Sequence, residues 1–226
     1  YRATINAEFE GFLQYTTEGA KPTSHYIPRF RNVYRQETDF LRGYAAGFGA
    51  QPNRETNKEG FGAELSNQLL STKETGVWNV NSHMMGETIP KESNLVSLDQ
   101  EKTDAWGIPL LNIDVDYDDN DEKMIHDFYE QFSEMYEKSG FVNIKTNDNG
   151  RRPGNDIHEM GGVRMGKNPK TSLLNAWNQM HECKNVFVTD GACMTSTSTQ
   201  NPSLTFMAIS ARAANYAIRQ MKKGLI

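Results

Sequence analysis

The sequence has almost no cysteine. Cys183 and Cys193 are the only two among 226 residues, which excludes a small scaffold built on disulfides. Long hydrophobic runs are absent as well, and nothing approaches the roughly 20 apolar residues of a membrane span. Basic charge is not in excess. The formal net charge is −5, which argues against nucleic acid or an anionic membrane surface as the main partner. A phosphate-cradling glycine loop is also missing. Gly47-Phe48-Gly49 has no third glycine at the right offset, Pro52 intervenes, and no helix pattern opens after it. Six acids crowd Asp114 to Glu122, but the sixth position of a calcium loop is not glycine and the twelfth is not glutamate. The run reads as a solvated strand end followed by a helix start. His158, His181 and Cys183 have irregular spacing and lack further ligands, so no metal site is expected. Initiator methionine and signal peptide are lacking too. The chain opens at Tyr1 in the middle of a pattern and reads as a piece of a longer protein.

What is present suits one large domain or two small ones. ATINAEFEGFLQY alternates and predicts a strand with Ile5, Ala7 and Phe9 on one face. The Gly-, Arg- and aromatic-rich stretch to about residue 60 predicts strands and long loops. VWNVNSHMMGE, NLVSL and LLNIDVDY alternate again. In the last of these, Leu111, Ile113, Val115 and Tyr117 share one face, as in a half-buried antiparallel strand. Asn120 or Asp121 is expected to cap a helix to about Lys138, with Met124, Ile125, Phe128, Phe132, Met135 and Tyr136 as its buried stripe. His126 lies off that stripe and reads as a surface residue. His25 and His83 fall in expected loop and strand with nothing nearby to single them out.

The most informative stretch runs from Asp156 to Met207. His158 follows a cap-like Asp156 in a glycine-rich loop with Gly161, Gly162 and Gly166. A short strand, Val186 to Val188, leads to an Asp190-Gly191 turn. Hydroxyl residues then lead to Asn201-Pro202, where a helix is expected to begin and run to about Lys222. Leu204, Met207, Ala208, Ala211, Ala214 and Ile218 form its narrow apolar face. A loop histidine titrates near neutrality and can accept a proton. A helix start offers unpaired N–H groups and partial positive charge, which stabilise an anion. A base beside an electropositive helix end suits hydride removal from an alcohol. By spacing alone, a lone loop histidine is more often structural, and Asn-Pro at a helix start is ordinary capping.

The order HEMGGVRMG, NVFVTDGA, NPSLTFMAISARAA resembles the C-terminal signature of the glucose-methanol-choline (GMC) oxidoreductases, which are FAD enzymes. That family shows His-x-x-Gly-Thr-x-x-Met-Gly, then an Asp-Gly or Asp-Ala turn after a strand, then an Asn-Pro-x-x-Thr helix start. The segment GETIPKESNLVSLDQEKTDAWGIPLL resembles its sheet region, so the likeness spans roughly residues 86 to 221. YIPRFRN is more loosely similar to substrate-domain segments. Carried over residue by residue, the resemblance makes His158 the base that accepts the alcohol proton. Asn201 becomes the partner that holds the substrate oxygen, though it could equally cap the helix. Asp190 and Gly191 would lie near the ribityl chain and pyrophosphate of FAD. Pro202, Ser203 and Thr205 would lie beside the flavin, with hydride passing to flavin N5. Gly162 departs from the usual threonine. Ser196 to Gln200 either line the pocket or form a turn.

The implied fold is α+β: a mostly antiparallel substrate-domain sheet with helices on one face, plus a C-terminal strand-loop-helix segment that belongs to the flavin domain. Residues 1–155 would form the substrate-binding domain and residues 156–226 the catalytic, flavin-contacting segment. The family's N-terminal Rossmann unit, which grips the dinucleotide, is not in this sequence. The expected partners are therefore that missing FAD-binding domain, a small alcohol or sugar, an electron-acceptor protein, and a second copy through exposed apolar surface. FAD is expected in the full-length parent and not on this piece, which is expected to be inactive alone. The rival reading is a non-catalytic module that kept the scaffold and binds carbohydrate or protein. Substrate, electron acceptor and compartment stay open, an exported parent included.

Overall fold

The computed structural model describes residues 2–12, 25–53, 60–70, 75–150, 153–154 and 157–226. Asp156, expected as a cap before His158, lies outside them, as does the first expected strand beyond Phe12. Strands β1 (Ala3–Phe12), β2 (His25–Ile27) and β3 (Tyr44–Pro52) precede helix α1 (Ala63–Leu70). Strands β4 (Thr75–Gly86), β5 (Leu95–Thr103) and β6 (Pro109–Asp114) follow, then α2 (Asp119–Lys138) and β7 (Val142–Asp148). The chain then runs through a 3-10 turn, Gly191–Cys193, into α3 (Ser203–Met221). The result is α+β with antiparallel pairing. No helix is long and apolar enough to cross a membrane among the described residues.

Two compact units divide the chain: Tyr1–Met85 with Glu122–Arg151, and Gly86–Asp121 with Arg152–Ile226. The first holds a five-stranded sheet in the order β2-β3-β4-β1-β7. β1 alternates as expected, so Ala3, Ile5 and Ala7 turn inward and are buried. The stripe of α2 covers that face: Met124, Ile125, Phe128, Phe132 and Tyr136 join the same apolar cluster as Tyr44, Ala46 and Val80. Tyr44 hydroxyl donates to Asp127 at 2.6 Å, and Arg31 grips the same carboxylate at 2.7 and 2.9 Å. These bonds supply the buried polar atoms with partners. Gly47 is in strand β3, where a Cβ would lie 2.6 Å from the His83 ring. Close packing against His83 accounts for this glycine. His126 is on the surface, 3.1 Å from Glu130.

The second unit contains the β5–β6 ribbon, in which Val96 faces Ile113 and Leu98 faces Leu111. Three expectations change here. Leu111 and Ile113 share a face, but that face is exposed by 67% and 53%, because a two-strand ribbon has no second layer to bury it. Val186 to Val188 is not a full strand. It forms one bridge, Gln179 with Phe187, flanked by Met180 N–H to Val186 O at 3.0 Å and Val188 N–H to Asn178 O at 3.0 Å. The cap of α2 is Asp118, two or three residues earlier than expected. Its carboxylate accepts from Asn120 N–H while Asp121 accepts from Asp118 N–H, both at 3.0 Å. This reciprocal pair is a capping box with aspartate in the second role, and it accounts for part of the acidic run.

Candidate functional site

All residues of the expected site that can be placed lie in the second unit. The loop from His158 to Gly166 bends through left-handed backbone at His158 (φ 75) and Gly161 (φ 89). A non-glycine residue seldom adopts that conformation, and it gives His158 a fixed, unusual presentation. The ring is partly buried. The loop is laced to the following turn by Val163 N–H to Ala192 O at 2.9 Å and Met165 N–H to Cys193 O at 3.0 Å. Its far end is held by Gly166 N–H to Leu174 O at 2.8 Å.

Asp190 caps the 3-10 turn, accepting from Ala192 N–H at 2.9 Å. Gly191 is the meeting point of three elements. A Cβ there would lie 3.0 Å from Glu159 O, 3.2 Å from the Met160 sulfur and 3.3 Å from the Phe206 ring. Glycine therefore lets the residues just after His158, the Asp190 turn and the first turn of α3 close on one another. Gly162, in contrast, is exposed, and a side chain there would meet nothing within 4 Å. An added Cβ at that position has open space around it.

The hydroxyl run is an ordered turn. Ser196 hydroxyl donates to the buried Glu87 carboxylate, Ser198 N–H donates to Ser196 Oγ at 2.9 Å, and Thr197 hydroxyl donates to Gln200 O at 2.8 Å. It delivers the chain to α3, whose cap position is Pro202 and not Asn201. Proline has no side chain that can cap, and no side-chain cap bond is made. Pro202 already has helical backbone, with φ −91 and ψ −1, so Asn201 stands at the entry to the helix. Asn201 is exposed just ahead of the helix, Pro202 is buried, and Ser203 and Thr205 are exposed in the first turn. The helix start thus keeps N–H donors free of any side-chain cap, as anion binding requires. That chemistry fits the anionic edge of a reduced flavin. Among the described residues, no hydrogen bond joins the His158 ring to Asn201.

His181 belongs to the scaffold. Its Nε2 lies 3.2 Å from Gly166 O and 3.4 Å from Ser172 Oγ. Cys183 is exposed and Cys193 is buried, both as free thiols. Burial pushes the Cys193 thiol above its ordinary range, which makes it unreactive. Sequence reasoning missed Glu87, Asn178 and Arg212. Asn178 had a faint signal, the NAWN turn, in which Asn175 accepts from Trp177 N–H at 2.8 Å. Glu87 had none, because its partner lies 109 residues away.

A family model described as GMC oxidoreductase matches residues 90–210. The chain is 32% identical over 198 residues to 2-methyl-1,2-propanediol dehydrogenase of Mycolicibacterium austroafricanum, covering 81% of this chain and 35% of that protein. It is 27% identical over 195 residues to the fructose dehydrogenase large subunit of Gluconobacter japonicus, covering 84% and 35%. The crystal structure of pyridoxine 4-oxidase from Mesorbium loti aligns with 96% of this chain and 43% of its own, at 12% identity and a TM-score of 0.45. The chain spans about a third of the length of the curated relatives it matches.

Proposed function

Because the chain belongs to the GMC oxidoreductase family, we propose that it is the substrate-binding and catalytic portion of an FAD-dependent oxidoreductase acting on CH–OH groups of an alcohol or sugar. The observation that carries the reading is the closure at Gly191, which draws the residues after His158 against the first turn of an uncapped helix. Oxidation of CH–OH to a carbonyl takes a hydride from carbon and a proton from oxygen. FAD, when bound, supplies the hydride acceptor. His158 takes the hydroxyl proton on a ring nitrogen. The Asn201 amide donates to the substrate oxygen and orients it. The N–H groups of Ser203, Leu204 and Thr205 favour negative charge at the helix start. Asp190 and Gly191 would shape a turn that helps to hold the cofactor. In this scheme residues 156–226 carry the chemistry, and residues 1–155 supply the substrate domain.

The apolar face of α3 supports a further partner. Leu204, Met207 and Ile218 are 78%, 69% and 50% exposed, and exposed apolar faces of this kind mark interaction surfaces. In this reading a flavin-binding domain of the full-length protein covers them, and without it the chain neither retains FAD nor turns over, and self-associates. One relative is by its name a large subunit, and a protein electron acceptor is the corresponding partner for this chain.

The test is His158→Ala in the full-length protein, with flavin reduction by alcohols and sugars followed in single turnover. Loss of a general base is expected to slow reduction by about 10²–10⁴-fold. An unchanged rate would instead favour the non-catalytic carbohydrate- or protein-binding module.

A further inference from the structure

We propose that Asn178 and Arg212 form a positioning pair that fixes the start of α3 against the Asp190 turn and the His158 loop; this deepens the function proposed above and rests on it. Asn178 is fully buried and holds left-handed backbone, with φ 64, a conformation asparagine tolerates better than most residues. Both ends of its amide are used. Nδ2 donates to Val188 O at 3.0 Å, and Oδ1 accepts from Arg212 Nη2 at 2.9 Å. Its main-chain carbonyl accepts from Val188 N–H at 3.0 Å. Asn178 therefore grips the two atoms of Val188 that set the direction of the chain just before Asp190.

Arg212 reaches the same place from the third turn of α3. The Nη2 that bonds Asn178 also lies 3.6 Å from the Met165 sulfur, and Met165 N–H is bonded to Cys193 O. Its guanidinium sits over the Trp177 ring at 5.9 Å. Trp177 in turn stacks flat on Tyr216 of the same helix, 4.9 Å between centroids. Ser210 adds a longer tie, its hydroxyl donating to Thr189 O at 3.4 Å. One cation on α3 thus touches the bridge leading to Asp190 and the loop carrying His158. A charge-assisted bond to a buried amide is short and directional, so it fixes the helix along its axis, where apolar packing alone tolerates sliding. Arg212 acts through these elements and not on substrate.

The experiment uses the full-length protein with Arg212→Met, which keeps the stem over Trp177 and deletes the donors. Two quantities are read. Amide hydrogen exchange at Val163 and Met165, whose N–H groups bond the Asp190 turn, is expected to rise by about tenfold or more. Alcohol-driven flavin reduction is expected to fall by about 10–100-fold, with KM changed by less than about twofold. Arg212→Lys keeps a donor for Asn178 Oδ1 and is expected to recover most of both losses. A protein that only lost fold stability would show faster exchange everywhere, including the β1–β4 ladder. Native exchange at Val163 and Met165, or a native reduction rate, overturns the proposal. Should Arg212→Met not fold, Asn178→Gly keeps the left-handed backbone, deletes the same acceptor and is judged by the same two readings. Failure of the catalytic reading appears separately, in His158→Ala, and leaves the exchange measurement intact.

Discussion

The two compact units bury apolar surface very differently. The first has a continuous core from Ala3 through Phe40, Tyr44 and Val80 to the stripe of α2. The second buries only Leu174, Cys193, Pro202 and Ala213 among the described apolar residues, while Leu95, Val96, Leu98, Leu111, Ile113, Leu204 and Met207 stand exposed. Yet the family match falls largely on the second unit, and so does every residue of the candidate site. The first unit is held by burial. The second is held by a backbone lattice, with Val163, Met165, Gly166, Leu174 and Val188 each bonded to a neighbouring loop. Functional loops resting on a thin core keep their geometry through directional bonds, which fix atoms more sharply than apolar contact does.

The comparison is broken most directly by core truncation. Phe128 is fully buried, and Phe128→Ala is expected to cost about 3–5 kcal/mol. Met207 is 69% exposed, and Met207→Ala in the same chain should stay within about 0.5 kcal/mol. Equal losses in a thermal or denaturant titration would mean that the α3 face is already covered and that the contrast is wrong. In the full-length protein the Met207 cost should rise to about 2 kcal/mol or more once the face is buried.

A paired glycine test sharpens the contrast inside the second unit. Gly191→Ala forces a Cβ to 3.0 Å from Glu159 O. Overpacking of this kind typically costs about 1–3 kcal/mol, and it should move the residues after His158. At Gly162, four residues beyond His158, an added Cβ meets nothing within 4 Å, and Gly162→Thr should change stability by less than about 0.5 kcal/mol. A Gly191→Ala protein as stable as Gly162→Thr would show that the three-way closure is not a constraint.

Much of the first unit was legible because pattern and packing agree there. Alternation placed β1, and three-four spacing placed the α2 stripe on the core. The same periodicity failed on α3, where the stripe it named, Leu204, Met207, Ala208, Ala211, Ala214 and Ile218, is exposed while Phe206, Ile209, Ala213 and Tyr216 are partly or fully buried. On β6 it grouped Leu111 with Ile113 on a face that is exposed. Periodicity reports which residues are apolar together, whereas burial depends on what lies opposite. The cap of α2 fell two or three residues before the expected Asn120 or Asp121, at Asp118, because several neighbouring residues could cap and sequence alone does not choose among them. At the site, ordered motifs marked His158, Asp190, Gly191 and Asn201. The supports, Glu87 to Ser196 and Arg212 to Asn178, join segments far apart in sequence, and no local spacing encodes them.

The smallest effect is the dependence on pH, where the units should respond with opposite sign. In the first unit, hydrogen bonds from Arg2 hold the Asp148 carboxyl below its ordinary range, with help from Gly150 N–H. A depressed folded value means stabilisation that is complete above the unfolded pKa of about 3.9 and is lost as pH falls through the folded one. Because the Asp148 side chain is 37% exposed, screening limits the gain to a few tenths of a kcal/mol. Asp148→Asn should therefore match the wild-type melting midpoint in acid and fall about 1 °C below it near neutrality. In the second unit, burial, with the nearby Asp118 adding to it, pushes the Asp121 carboxyl above its ordinary range. Here the folded state favours the proton, so stability present below the unfolded pKa is lost as pH rises through the folded value. Asp121→Asn still accepts through its amide oxygen from Asp118 N–H and carries no charge to bury. Its midpoint relative to wild type should climb from acid to neutral pH while that of Asp148→Asn declines. Parallel slopes for the two variants, measured by melting between about pH 3 and 7, would show that the two carboxylates sit in alike environments and would remove the electrostatic half of the contrast.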